Sequence, residues 1–279
     1  MSNLRYRKRK LTQDVMFISS YVSAVIGISL LFLILGYVFY KGVRGINLDF
    51  FLRLPTPVGV SGGGMSNALI GSLYLIGFAS LFSIPIGILI GVYLSEFGRG
   101  AFASLVRFLT ETLAGLPAIV AGIFAYTVIV IPMRKFSALA GSFALSILML
   151  PIIVKSTEEL LKMVPRDLRE ASLALGIPKW KTIVKVVLST AKSGILTGII
   201  LAVARAGGEA APLLFTALGN SYMNLYPHEP MASLPVQLYV YAVSPYEDWH
   251  QKAWASALVL VGIVLIASVT ARSYASKRR

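Results

Sequence analysis

The sequence predicts an all-α integral membrane protein with six transmembrane helices, and three features of the chain carry that prediction. Hydrophobic residues make up 56% of the 279 residues and charged residues only 14%, unlike an ordinary soluble domain. The apolar residues fall into six blocks, each about as long as the roughly 20 residues that a helix needs to cross a bilayer. Basic residues are abundant in alternate connections between these blocks, as expected for loops on opposite sides of a membrane.

The six blocks are predicted to span the membrane because nearly all of their side chains are uncharged. Most of them contain no charged residue at all, whereas a helix of a soluble bundle would present a polar face to water. The alternating segments of about ten residues that build a transmembrane barrel are absent from the sequence. The predicted spans are Val15–Tyr40, Ala68–Ser95, Phe108–Met133, Phe136–Val154, Ser193–Leu218 and Ala253–Ala271.

The net charge of +14 reflects topology, because most of the 26 Lys and Arg residues fall on one side of the predicted membrane. Cytoplasmic loops of membrane proteins are rich in Lys and Arg, so both termini are predicted to be cytoplasmic. No basic groove interleaved with aromatic residues is present, and nucleic acid is therefore not an expected partner. The basic residues assigned to the cytoplasmic side are Arg5, Arg7, Lys8, Arg9, Lys10, Arg99, Arg107, Lys155, Lys162, Arg166, Arg169, Lys179, Lys181, Lys185, Lys192, Arg272, Lys277, Arg278 and Arg279.

The chain is predicted to have a cytoplasmic tail over residues 1–14 and one membrane domain over residues 15–279. Two long outer connections follow from the predicted spans. The first, Lys41–Asn67, contains prolines and the run Gly62–Gly63–Gly64 and should be irregular and mobile. The second is Gly219–Lys252. Both are candidates for contact with an external partner, and the alternative is that they are simply solvated connectors.

The segment from Lys155 to Lys192 is too rich in structure signals to be a simple loop. Pro165 can begin a helix over Asp167–Leu175, Gly176 provides a left-handed residue after it, and Pro178 prevents its continuation. A second helix is predicted to follow at once. The first helix is amphipathic, so the alternative is that it lies among the lipid headgroups.

An arginine and a glutamate interrupt the fifth predicted span. An arginine near the middle of a membrane costs about 2.5 to 3.5 kcal/mol on insertion scales, so it needs a reason. Arg205 and Glu209 are four residues apart and can neutralise each other on one helix face. Gly207, Gly208 and Pro212 should loosen the helix there. Two interpretations remain open: an internal salt bridge that joins helices, or a polar path in which the guanidinium meets an anion.

The sequence contains no motif that would let this chain catalyse a reaction by itself. No Gly-x-x-x-x-Gly-Lys-Ser/Thr run occurs, so the chain should not hydrolyse ATP, and we expect neither a cofactor nor a metal. Cysteine is absent, which excludes disulfides and thiolate metal sites. Any energy for transport must come from a partner.

From Glu170 the chain reads EASLALGIPKWKTIVKVVLS, which resembles the cytoplasmic EAA loop of ATP-binding-cassette (ABC) importer permeases. Two positions depart from that pattern, since Ser172 replaces the second alanine and Ser189 replaces a proline before the fifth span. The resemblance implies a type I, MetI-like permease in which the helix pair within residues 155–192 couples to a separate ATPase. The implied coupling residues are Glu170, Ala171, Ser172 and Gly176.

The run ARAGGEAAPLLFTA resembles the fifth span of phosphate importer permeases of the PstA type, and ETLAGLPAIVAG and GGGMSNALIGSL extend that similarity. It implies a permease subunit of an ATP-driven inorganic phosphate importer in the inner membrane of a prokaryote. The implied partners are a second permease of the PstC type, an ATPase dimer, an external phosphate-binding protein, membrane lipid and phosphate.

The resemblance also implies that Arg205 and Glu209 face the translocation path. Glu111 either adds a second acidic contact there or lies in the headgroup region near Arg107. Three other functions stay open at this point: a permease for molybdate or sulfate, an ion-coupled secondary transporter in which Glu209 carries protons, and a membrane scaffold or sensor subunit.

Overall fold

A computed structural model describes residues 2–60 and 62–276, and the regular elements within these ranges are all helical. The helices are α1 (Ser2–Gly42), α2 (Leu48–Leu52), α3 (Ser66–Glu96), α4 (Gly100–Ala114), α5 (Ala118–Ala125), α6 (Ile131–Met133), α7 (Ala138–Lys162), α8 (Arg166–Ala174), α9 (Lys179–Thr182), α10 (Leu188–Gly207), α11 (Ala211–Leu214), α12 (Leu234–Ala242) and α13 (Glu247–Ser276). A 3₁₀ turn at Val43–Gly45 and π-helical turns at Tyr126–Val130 and Ile183–Val187 complete the list.

Six segments of the described chain are long and apolar enough to cross a membrane, which confirms the predicted fold class. Five are continuous helices, and the sixth is the bent pair formed by α4 and the segment Ala118–Met133. The first span is longer than predicted, because α1 begins at Ser2. The predicted boundary between the tail and the membrane domain, at residue 14, therefore falls inside a continuous helix.

The third span is not the straight helix that was predicted over Phe108–Met133. Its two parts are bent by 106° at the segment between α4 and α5. The cause is local, because Pro117 has no N–H to donate and disfavours helical backbone at Leu116. The sequence carries a signal for this bend, since Gly115–Leu116–Pro117 is a standard helix-breaking run.

The fifth span begins and ends earlier than the predicted Ser193–Leu218. One helical segment runs from Lys179 through a π-helical turn to Gly207, so the predicted second helix of the cytoplasmic pair is the start of this span. No break occurs at Ser189, where the EAA pattern has proline. The fourth span is likewise extended, because α7 continues past the predicted end at Val154 to Lys162.

The centre of the molecule is the packing of α3 against α7, which run in the same direction. Gly87 and Gly91 make this approach possible, because a Cβ atom there would lie 2.8 Å from Ile153 and 2.6 Å from Thr157. The fifth span completes the core through small and aliphatic residues such as Ala202 and Ala206. Helix α1 contacts α13 and otherwise leaves its apolar surface uncovered.

Candidate functional site

The fifth span breaks inside the apolar bundle. Helix α10 ends at Gly207, which lies against Ile76 of α3, and the short helix α11 starts only at Ala211. Pro212 at the start of α11 packs so close to Gly122 of α5 that any side chain at position 122 would collide with it. The predicted loosening of this helix is thus confirmed. Non-helical backbone at such a place is tolerated only beside protein or water.

Arg205 lies in the last turn of α10, where its charge complements the partial negative charge of the helix end. The side chain is exposed on the surface of this chain, on the same face as Leu201. Glu209 is half-buried in the irregular segment after the helix. Both charges therefore lie at the break, on two sides of the point where the helix stops.

The ion pair between Arg205 and Glu209, one of the two open interpretations, is not formed. Among the described residues neither side chain has a salt-bridge or hydrogen-bond partner. Pairing across one turn would require an intact helix. The helix ends between the two residues, and the amide of Glu209 turns back to the carbonyl of Ala206 instead.

Glu111 lies on the exposed face of α4, one turn before the bend. In the described part of the chain it forms no ion pair with Arg107, whose guanidinium donates to Glu158 on α7 at 2.8 Å and to the carbonyl of Leu94 at 2.9 Å. Glu111 and Arg107 are nevertheless one turn apart on α4, so the alternative of a headgroup position near Arg107 stays a prediction. Among the described residues Glu111 also has no ion pair or hydrogen bond with Arg205.

Helix α8 has the predicted geometry. It starts directly after Pro165 and ends before Gly176, whose φ of +77° is the left-handed conformation that glycine adopts without strain. Glu170 and Ala171 are exposed. Leu175 and Trp180 beside them are 80% and 63% exposed, an unusual amount of apolar surface for a solvated helix pair.

Ser172 differs from the other predicted coupling residues because its side chain is buried. Its hydroxyl lies 2.9 Å from the hydroxyl of Thr182 on α9, and the residue is only 6% exposed. Ser172, which the resemblance implies as a coupling residue, therefore does not lie on the exposed surface of α8 in this chain. It joins α8 to the start of the fifth span, a contact that alanine at this position could not make.

Two important charged residues were missed by the sequence reasoning. Arg169 of α8 and Glu96 at the end of α3 form an ion pair with an N–O distance of 2.7 Å. The signal was weak, because Glu96 stands beside other polar residues at a predicted span end and is 73 positions away from its partner.

The two outer connections meet at a cavity of about 600 Å³ on the side of the molecule opposite α8. Its wall includes Thr56 and Pro57 of the first connection and Asn220, Ser233, Gln237 and Tyr241 of the second. Within the described residues, the hydroxyl of Ser233 and the amide oxygen of Gln237 are buried without a hydrogen-bond partner. Burial raises the pKa of the Tyr241 phenol, whose oxygen accepts a hydrogen bond from the Gln237 amide.

Comparison with known proteins gives a family for this arrangement. Residues 83–278 match the family described as binding-protein-dependent transport system inner membrane component. A phosphate transport system permease protein PstA from Haemophilus influenzae is 44% identical over 98% of this chain and 96% of its own length. The PstA of Pasteurella multocida is 40% identical over 98% of both chains, and PstA 1 of Mycobacterium tuberculosis is 36% identical over 99% of this chain and 92% of its own.

Among solved structures, an inward-facing MetNI methionine ABC transporter matches with a TM-score of 0.60. The match covers 76% of this chain and 96% of that chain at 17% identity, so it confirms the MetI-like fold and nothing more. The apolar helices and the family together make this a multi-pass inner membrane protein that works within an ABC transporter. By length of match, identity and fold, the chain belongs to the PstA family of phosphate transport system permease proteins.

Proposed function

We propose that this chain is the permease subunit of an ATP-driven inorganic phosphate importer and forms part of its translocation path. The observation that carries the proposal is the break in the fifth span, where the exposed Arg205 has no counter-ion among the described residues. The name of the PstA relatives supports phosphate as the cargo. An unpaired arginine in an apolar segment is most stable where it meets water or a transported anion.

The chemistry of the break suits a transient phosphate contact. A guanidinium offers planar N–H donors that match two phosphate oxygens, while the bound anion still has to leave. Glu209 lies in the irregular segment after α10. Its negative charge would repel the anion and so limit how tightly Arg205 holds it. Glu111 would add a second acidic contact further toward the cytoplasmic side. Because Arg205 is on the exposed face of α10, the path would run between this chain and a second permease.

The source of energy would be a separate ATPase, because this chain has no phosphate-binding loop motif. The proposed complex contains this chain, a homologous permease of the PstC type, an ATPase dimer and an external phosphate-binding protein. Glu170, Ala171 and Gly176 belong to the proposed contact with the ATPase, and the exposed Leu175 and Trp180 give it an apolar surface. ATP binding and hydrolysis would then shift the permease between two packed states.

The external binding protein would dock over the cavity between the two outer connections. Polar groups without partners, such as the Ser233 hydroxyl, favour a surface that is completed by another protein. In this arrangement both termini are cytoplasmic, residues 1–14 are the cytoplasmic tail, and residues 15–279 form the permease domain. The coupling EAA loop lies within residues 155–192.

The test is phosphate uptake by proteoliposomes that contain the whole reconstituted complex. We expect uptake only when ATP is present on the side of the membrane where the ATPase lies. Excess molybdate or sulfate should compete poorly with phosphate. Uptake driven by an ion gradient without the ATPase would contradict the proposal. Better uptake of molybdate or sulfate than of phosphate would keep the importer class and change the cargo.

A further inference from the structure

The guanidinium of Arg169 lies where three helix ends meet. Its Nε and Nη2 donate to the carboxylate of Glu96, the last residue of α3, at 3.2 and 2.7 Å. The remaining donors bind the carbonyl groups at the end of α7, at 2.8 Å for Leu161, 2.6 Å for Val164 and 3.4 Å for Pro165. All five N–H groups of the arginine are thus used, and they connect α8 with both α3 and α7.

The end of α3 is also contacted by α9, the helix that follows α8. The side-chain ammonium of Lys179, the first residue of α9, donates to the carbonyl of Glu96 at 3.3 Å. The same ammonium lies 4.2 Å from the centre of the Phe97 ring. The side chain of Glu96 is only 7% exposed, so its ion pair with Arg169 is shielded from water.

Helix α8 is attached to the membrane helices by one face. Arg169 and Ser172 are three residues apart and therefore lie on the same side of the helix. Arg169 binds groups of α3 and α7, and Ser172 pairs with Thr182 of α9. Glu170 and Ala171 lie on the exposed remainder of the helix. The helix thus has one face for the membrane helices and another that is free for a partner.

The connections along the chain would not hold α8 in place by themselves. It is a nine-residue helix between two short irregular segments, around Pro165 and around Gly176–Pro178. Hinges in proteins are commonly a few loop or element-terminal residues of this kind. In contrast, α3 and α7 behave as one body, since they pack closely and Arg107 of α4 binds both Glu158 and the carbonyl of Leu94. A fixed joint between α8 and this body would turn a push on α8 into movement of the spans.

We propose that the Arg169–Glu96 ion pair is this joint, so that both are positioning residues for the coupling of ATP hydrolysis to transport. The inference rests on the proposed function as a permease driven by an ATPase. Without the pair, the ATPase would move α8 on its two turns, and ATP would be hydrolysed without opening the path. The pair stays closed throughout the transport cycle.

The test measures phosphate imported per ATP hydrolysed by the reconstituted complex in proteoliposomes. For Glu96→Gln and Arg169→Ala we expect ATP hydrolysis within about twofold of the unmodified complex and a fall in imported phosphate per ATP of about tenfold. The matched control is Glu159→Gln, because Glu159 is an exposed glutamate on α7 with no side-chain partner in the described part of the chain. It should leave the ratio unchanged.

A second variant separates attachment from charge. The chain has no cysteine, so the double variant Glu96→Cys/Arg169→Cys can be joined by a short bifunctional thiol reagent. Before reaction it should be uncoupled, and after reaction the ratio of phosphate to ATP should recover at least fivefold. Recovery would show that a fixed joint, rather than the charge itself, is what coupling requires.

Four results would overturn the inference: a normal ratio in both single variants, no recovery after crosslinking, arrest of hydrolysis and transport by the crosslink, or failure of every variant to assemble. Arrest would mean that the pair has to open during the cycle, and failed assembly would assign it to stability. A complex of unmodified subunits that imports no phosphate would instead contradict the proposed function.

Discussion

Arg205 lies at a place where its charge has no partner in the part of the chain that the structure describes. Glu209 would have been that partner in an intact helix, but α10 ends at Gly207 and the two side chains separate. The glycines and Pro212 thus have a functional consequence, because they leave a positive charge available at the break. The same residue in a continuous helix would be a structural salt bridge.

Replacement of Arg205 by alanine should abolish phosphate uptake while the complex still inserts and assembles. The reason is that the exposed side chain makes no contact on which folding of the described chain depends. Arg205→Lys should keep part of the activity, because it retains the charge but not the planar pair of donors. Uptake of labelled phosphate and co-purification of the subunits give the measurement.

The control for Arg205 is Arg44→Ala, which removes an exposed arginine at the outer end of the first span. It should transport normally. Undiminished uptake in Arg205→Ala would show that Arg205 has no part in the path.

Exchange of the two charges distinguishes a path from a salt bridge. If Arg205 and Glu209 acted only by pairing, the double variant Arg205→Glu/Glu209→Arg would restore what each single variant loses. Because they are not paired in this structure, we expect the double variant to be as inactive as Arg205→Ala. A double-mutant cycle on uptake rates measures this, and a coupling energy above about 1 kcal/mol would favour the salt bridge.

At the scale of elements, α8 separates two tasks on two faces. Arg169 and Ser172 bind the helix to the membrane spans, whereas Glu170 and Ala171 stay exposed. Gly176 ends the helix with a left-handed residue, and α9 starts three residues later at Lys179. Ser172, which replaces the second alanine of the EAA pattern, lies on the face that contacts the membrane spans. A polar residue fits there because its hydroxyl pairs with that of Thr182.

Reversal of charge at Glu170 should weaken binding of the ATPase without disturbing the permease itself. Glu170→Lys places a positive charge on the exposed face, where it would repel the basic partner that a docking glutamate requires. We expect at least a tenfold loss of ATP-dependent phosphate uptake and less ATPase recovered with the purified complex. Asp167→Lys, an exposed acidic residue one turn earlier, is the matched control and should lose less. Equal loss in both would mean that the surface acts only through its net charge.

At the scale of the whole molecule, the candidate sites lie along one axis. The outer cavity is formed by the two outer connections, the break with Arg205 lies inside the bundle, and α8 lies at the opposite end. The parallel helices α3 and α7 run between these ends and pack closely over their length. A displacement at α8 can therefore reach the break through a packed body.

The orientation of the chain can be tested with single cysteines, because the natural sequence has none. Gln13→Cys should react with a membrane-impermeant maleimide only when the inner face is accessible. Ser221→Cys, in the second outer connection, should react from the outside of intact cells, since Ser221 is exposed. Labelling with the opposite pattern would reverse the topology and remove α8 from the side of the ATPase.

The sequence by itself determined the six spans, the position of α8 and the left-handed Gly176. These follow from local properties, namely the length of apolar runs and the backbone preferences of Pro and Gly. The break after Gly207 was visible for the same reason, and the bend at Gly115–Pro117 carries the same kind of signal although it was overlooked.

Only the tertiary structure decided which charges meet. Arg205 and Glu209 are neighbours in the sequence but do not pair, whereas Arg169 and Glu96 pair across 73 positions. The physical reason is that the packing of α3 against α7 sets where their ends lie, and that packing depends on small residues such as Gly87 and Gly91 rather than on the charges. A buried ion pair forms where helix ends converge, and convergence is a property of the folded bundle.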